Sequence, residues 1–187
     1  MKTKILSVVL LAAALCGSVH AARVEGWILS GARAGSYEIG EDAGESRSNK
    51  MSRFIRYTGG DASSFGTLMQ QISAKNYQGK RVRFQAIVKT RDVSSWAGLW
   101  MSALRSRDER PDAFYNSQDK PIAGTTDWQL RSVTLDIPED ATVLNFGVIN
   151  AGKGQVWIDE LSLEVVGKDV PVDVMPGRSV PAEAPTL

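Results

Sequence analysis

Between Ala22 and Val166 the apolar residues recur at every second position, in runs too short and too often interrupted to wind into helices. Val82, Phe84, Ala86 and Val88 alternate with Arg81, Arg83, Gln85 and Lys89. Leu144, Phe146 and Val148 alternate with Asn145 and Gly147, and Trp157, Leu161, Leu163 and Val165 are expected to share one face of the last strand. A period of two is the mark of a strand with one face against a core. Shorter candidates are Trp27–Leu29, Ser52–Tyr57, Phe65–Ile72, Ala97–Leu104, Asp112–Tyr115 and Trp128–Ile137, with Gly59-Gly60, Arg110-Pro111 and Gly152-Lys153-Gly154 among the turns between strands. Met69–Tyr77 suits a helix or a strand, and Gly66 and Gly79 bracket it. About nine or ten strands with no long helix predict an all-β fold, an antiparallel β-sandwich of the jelly-roll kind.

The N-terminus reads differently. Lys2 and Lys4 precede an apolar run, Ile5–Leu15, broken only by Ser7, and Val19-His20-Ala21 fits a small-x-Ala processing site. Residues 1–21 are therefore expected to be a secretory leader, and the product to be exported to the periplasm or the exterior. The run is too short to span a bilayer, which takes about 20 residues, and Leu15 before Cys16 argues against lipoprotein processing. The leader holds the only Cys and the only His of the chain. Without thiol or imidazole, the processed chain has no Ser-His-Asp triad, no cysteine nucleophile, no His or Cys ligand for zinc or haem, and no disulfide. It is equipped to bind a partner and poorly equipped to transform one. The formal net charge of +1 falls by two when Lys2 and Lys4 leave, and such a balance argues against nucleic acid as the partner. Beyond Gly167 the aromatics stop, and Pro171, Pro176, Pro181 and Pro185 account for four of the seven prolines. Residues 168–187 are expected to form a flexible Pro-rich tail behind a single binding domain over 22–167.

Several segments occur together in a characteristic order: Gly98-Leu99-Trp100-Met101, Lys120-Pro121-Ile122 with Gly124-Thr125-Thr126-Asp127-Trp128, Leu135-Asp136-Ile137-Pro138, and Gly154-Gln155-Val156-Trp157-Ile158-Asp159-Glu160. Together they resemble the galactose-binding-domain-like jelly-roll module carried by some bacterial AraC-type regulators and secreted peptidases. The resemblance runs from about Trp27 to Val166. It implies a sandwich related in fold to carbohydrate-binding modules, and through that fold a glycan-binding role. The chain departs from the pattern over Ser102–Arg110, a longer charged loop, and at Tyr115, where the module carries an acid.

Sugar recognition needs flat aromatic faces for pyranose rings and amides or carboxylates for hydroxyls. Trp96, Trp100, Arg105, Tyr115, Asn116, Gln118 and Asp119 stand close enough in sequence to line one end of a sheet and its loop, and are the candidate ligand-binding set. Trp128 and Trp157 are assigned to the core. Glu38, Glu41, Asp42 and Glu45 crowd one expected loop, and Glu38, Asp42 and Asp159 are candidate ligands of a structural calcium ion. Arg81, Arg83 and Lys89 share a strand face that suits either an anionic polymer or plain solvation. No spacing selects a catalytic carboxylate pair. The leading expectation is an exported, non-catalytic glycan-binding module. An envelope accessory module that binds protein, and a carboxylate-based glycan hydrolase, remain as alternatives.

Overall fold

The computed structural model describes residues 24–48, 50–105 and 111–177. The expected leader over 1–21, the loop residues 106–110 and the stretch 178–187 lie outside the described residues. Nine strands follow in order: β1 (Ile28–Ser30), β2 (Tyr37–Asp42), β3 (Ser52–Tyr57), β4 (Phe65–Ser73), β5 (Arg81–Leu104), β6 (Ala113–Asn116), β7 (Ile122–Asp136), β8 (Val143–Ala151) and β9 (Gln155–Val166). The only helical pieces among the described residues are two 3₁₀ turns, Ala34–Ser36 and Ser117–Asp119. None of the described helices is long and apolar enough to cross a membrane. The fold is the expected antiparallel β-sandwich.

Two five-stranded layers share β5. Its first half pairs with β9 and β7, and its second half with β8 and β6. One layer therefore runs β1-β4-β8-β5-β6, the other β2-β3-β9-β5-β7. The sequence pattern suggests two strands, over 81–89 and 97–104; the structure has one of 24 residues. The crossing is made where the β5–β7 register slips three times between Val88 and Ala97, with Asp92 at φ 53°. Bulges bend a strand and raise its twist, which lets it leave one layer and enter the other.

The core lies between the layers. Leu68, Val82, Phe84, Leu99, Met101, Val133, Leu144 and Ile158 are fully or almost fully buried there, each contributing about 1.5–3 kcal/mol relative to exposure. The Phe84 and Phe146 rings meet with centroids 4.9 Å apart.

Three expectations are corrected. First, Trp157 does not share a face with Leu161, Leu163 and Val165. Ile87 pairs with Asp159 but Gln85 pairs with Ser162, so β9 carries one extra residue, with Glu160 at φ 49°. One extra residue in a period of two reverses the faces. Trp157 consequently stands on the outer face, opposite Phe54 and Lys89. It is nevertheless 0% exposed, with Asp42 and Arg91 against it. Its Nε1 donates to Asp42 Oδ2 at 2.9 Å and the Arg91 guanidinium stacks 4.7 Å above the ring. Trp128, also assigned to the core, is only half-buried. Second, Glu38, Glu41 and Asp42 are in strand β2 rather than a loop. Glu38 faces Arg56 and Glu41 faces Arg53 across β3, and these opposite-charge pairs suit a strand. Third, residues 168–177 are not a free tail. Arg81 Nη1 donates to the Lys168 and Val170 carbonyls at 2.7 and 2.6 Å. Asp173 accepts the Thr134 N–H and the Lys120 ammonium, both at 2.9 Å, and Val172 and Met175 pack on the core.

The basic stripe is neutralised by neighbouring strands and loops. Arg81 pairs with Asp136 at 2.8 Å, Arg83 with Glu164 at 2.8 Å, and Lys89 with Glu45 at 2.7 Å. It offers no unbalanced field to an anionic polymer.

Candidate functional site

The outward face of the β1-β4-β8-β5-β6 layer forms a cleft of about 510 Å³. Register explains its shape. Side chains of residues opposite one another across an antiparallel ladder point to the same face. Phe65, Ala151 and Trp96 form one such row, Thr67, Ile149 and Gly98 the next, and Met69, Gly147, Trp100 and Asn116 the third. The central strand β8 contributes small residues at Ala151 and Gly147, so the flanking strands stand above it as walls.

Trp100 is held in place from across the cleft. Its Nε1 donates to Thr67 Oγ1 at 2.7 Å, and that hydroxyl donates to the Val148 carbonyl at 2.9 Å. The indole therefore reaches from β5 past β8 to β4, with its polar edge satisfied and the ring only partly covered. Gly147, directly opposite Trp100, lets β4 pack closely on β8. A Cβ there would collide with the Leu68 carbonyl oxygen and come within 2.7 Å of Met69 Cα. Gly147→Ala should lower stability by about 2 kcal/mol or more, read as a clear fall in Tm; an unchanged Tm would mean that the β4–β8 spacing is not what fixes this position.

The far wall is built by the turn after β6. Ser117 sits over Gly98, where a Cβ would come within 2.7 Å of the Ser117 Cβ, and its hydroxyl donates to the Leu99 carbonyl at 2.8 Å. The Asn116 side-chain carbonyl accepts the Gln118 N–H at 3.3 Å, capping the turn. Both amide side chains line the cleft.

Of the candidate ligand-binding residues, the structure brings Trp96, Trp100, Asn116 and Gln118 to this cleft. It does not bring Tyr115, Asp119 or Arg105. Tyr115 pairs with Met101 on the inner face and is 1% exposed. The strand period that sends Phe114 and Asn116 outward sends Tyr115 inward. Its hydroxyl donates to Asp119 Oδ1 at 2.6 Å, so Asp119 completes a buried phenol. Burial, and then that carboxylate, push the phenol pKa well up. Arg105 follows the last residue of β5 and pairs with Asp112 at 3.3 Å and Asp140 at 2.8 Å. Sequence reasoning missed Phe65, Thr67, Met69, Phe114 and Ile149. The available signal was β4 itself, where Phe65, Thr67 and Met69 interleave with the core residue Leu68, giving a strand with apolar character on both faces.

The candidate calcium ligands do not converge. Glu38 is taken by Arg56. Asp42 accepts Trp157 Nε1 and the N–H groups of Gly44 and Glu45. Asp159 accepts the N–H groups of Arg47 and Ser48 at 2.8 and 2.9 Å and the hydroxyls of Ser46 and Ser48 at 3.0 and 2.7 Å. Burial alone would raise the Asp159 pKa, but the bonds from Ser48, Arg47 and Glu160 outweigh it and hold it at about 2. Among the described residues no three His, Cys, Asp or Glu side chains gather as a metal site.

No protein-family model matches the chain. Over 150 residues it is 38% identical to the HTH-type transcriptional regulator YbfP of Bacillus subtilis, covering 80% of this chain and 50% of that protein. The chain thus spans half the length of the curated relative it matches. The described residues contain no helix-turn-helix, since their helices are three-residue 3₁₀ turns. Among solved structures, the chain is similar to the C-terminal family 22 carbohydrate-binding module of Clostridium thermocellum Xyn10B, at 15% identity and a TM-score of 0.55, over 80% of this chain and 91% of that one. It is also similar to the CBM22-1 xylan-binding domain of Paenibacillus barcinonensis Xyn10C, at 15% identity and a TM-score of 0.51, over 75% and 86%. At these identities the likeness is one of fold, the jelly roll of carbohydrate-binding modules.

Proposed function

We propose that this protein is a non-catalytic carbohydrate-binding module that holds a segment of glycan chain along the outward face of the β4-β8-β5 ladder. The observation that carries this reading is the indole of Trp100, fixed at its polar edge by Thr67 and left partly open to the cleft. A flat, immobile, amphipathic ring loses little entropy on binding and matches the C–H face of a pyranose. Trp96 lies on the same strand and the same face. Four residues of strand place the two Cα atoms about 13 Å apart, longer than a single sugar ring, so the natural ligand is an oligomer. Asn116 and Gln118 offer amides, and Ser30, Ser63 and Ser95 hydroxyls, for the sugar hydroxyls. Support also comes from the fold, which serves xylan binding in the Paenibacillus barcinonensis Xyn10C domain and ligand binding in the Clostridium thermocellum module named above.

The lining favours binding over hydrolysis. Glycoside cleavage calls for two carboxyl groups flanking the bond, and none of the residues lining the cleft is Asp or Glu. Export, proposed from the leader-like residues 1–21, would place such a module where polysaccharides occur.

A panel of neutral oligosaccharides of increasing length, titrated calorimetrically against the full chain, tests the reading. At least one glycan series should bind, with the longer members about 2- to 13-fold tighter than the monosaccharide, because each added aromatic contact is worth about 0.5–1.5 kcal/mol. A folded protein that binds no member of a broad panel would overturn it.

A further inference from the structure

Among the described residues, the lining of the cleft is uncharged. In a chain that is 23% charged, its walls are made of serine, threonine, amide, aromatic and aliphatic side chains, with no Asp, Glu, Lys or Arg. The charged residues that flank the lining in sequence are turned to other partners. Asp61, before Ala62, pairs with Arg33 at 3.0 Å and accepts the N–H and hydroxyl of Ser63 at 2.9 and 2.6 Å. Those Ser63 bonds, and then Arg33, hold its carboxyl at about 2. Asp119, after Gln118, accepts the Tyr115 hydroxyl, and Lys120 pairs with Asp173 at 2.9 Å. Lys153, after Gly152, is exposed and stands outside the lining.

Resting on the glycan reading, we propose that this cleft selects uncharged glycan chains and discriminates against their uronate or sulfated counterparts. A carboxylate carried into the cleft loses water and meets no cation in return, and an uncompensated charge is costly to desolvate. The faces of Trp96 and Trp100 carry the negative lobes of their ring quadrupoles, which disfavour an anion stacked above them. A solvated ammonium at the rim, as on Lys153, offers only weak and salt-screened attraction. Selectivity thus arises from what the site leaves unpaired as much as from what it contacts.

The test compares the tightest neutral oligosaccharide of the panel with its uronate-bearing counterpart, oxidised at C6 for a hexose chain or carrying a glucuronyl branch for a pentose chain, at about 0.15 M salt and again at higher salt. The neutral ligand should bind at least ~10-fold tighter under both conditions. Ser95→Lys, which places a cation in the wall, should narrow that ratio by improving the uronate. Uronate binding as tight as neutral binding, and abolished by Trp100→Ala, would overturn the selectivity while leaving the glycan reading standing. Failure of both ligands to bind the folded protein would overturn the glycan reading and this inference with it.

Discussion

Trp100→Ala should weaken glycan binding at least ~30-fold, the effect of removing a contact worth about 2 kcal/mol at the centre of a binding surface. The expectation follows from position. Trp100 lies opposite Gly147 and its indole bridges across β8 to Thr67 of the middle row, so it is the aromatic ring fixed in place across the cleft. The chain should stay folded, because the indole is on the outward face and its loss opens no space between the layers. Circular dichroism and thermal unfolding check that point alongside the titration. Trp100→Phe keeps a ring but loses the Nε1 bond to Thr67, and should fall between the wild type and Trp100→Ala. Trp96→Ala should cost less than Trp100→Ala, since no hydrogen bond from the described residues pins the Trp96 indole. Wild-type affinity in a folded Trp100→Ala protein would remove this ring from the site.

The second large effect concerns stability. Asp159→Ala should destabilise the fold by about 3 kcal/mol, because it leaves the Arg47 and Ser48 N–H groups and the Ser48 hydroxyl without their acceptor. Asp159→Asn should fall in between. Acid should reproduce part of the effect. The Asp159 carboxyl is held at about 2 against an ordinary 3.8, so it is more acidic folded than unfolded. Its stabilisation is fully present above about pH 4 and is lost as pH falls through about 2, on the order of 2 kcal/mol in all. Asp61 and Asp136 are also held at about 2, but both are exposed, where pairing is screened and contributes little. Urea unfolding of wild type and Asp159→Asn at pH 7 and pH 2 should show a gap that shrinks at the lower pH. A gap that stays constant would mean that the charge of Asp159 is not what holds Arg47 and Ser48.

The fold was legible because most strands here obey a clean period of two. Ser52–Tyr57 coincides with a strand of the structure, and β4, β6, β8 and β9 fall close to where the alternation places them. In the structure the same parity puts Trp96 and Trp100 on one face, opposite to Leu99 and Met101, although the sequence grouped the two tryptophans only by nearness in the chain. What parity does not reveal is where it breaks. The extra residue at Asp159–Glu160 reversed the end of β9, and the bulges of β5 joined two apparent strands into one. Tyr115 was misplaced because a tyrosine suits a sugar platform and a core equally well, and only pairing with Met101 distinguishes the two. The walls at Phe65 and Met69, and Ile149 between them and β5, depend on inter-strand register between β4, β8 and β5, which no local pattern encodes. The acidic cluster misled for a related reason, since the partners of Glu38 and Asp159 lie far away in sequence, at Arg56 and at the segment Ser46–Ser48.

The most direct test of the account is a crystal structure of the protein soaked with the oligosaccharide that binds it best. Sugar rings are expected along the outward face of β8, one of them against the Trp100 indole, with hydroxyls on Asn116 or Gln118. A ligand seated on the β2-β3-β9-β5-β7 layer, or at the end of the sandwich beside Arg53, with the Trp100 cleft left open, would contradict it.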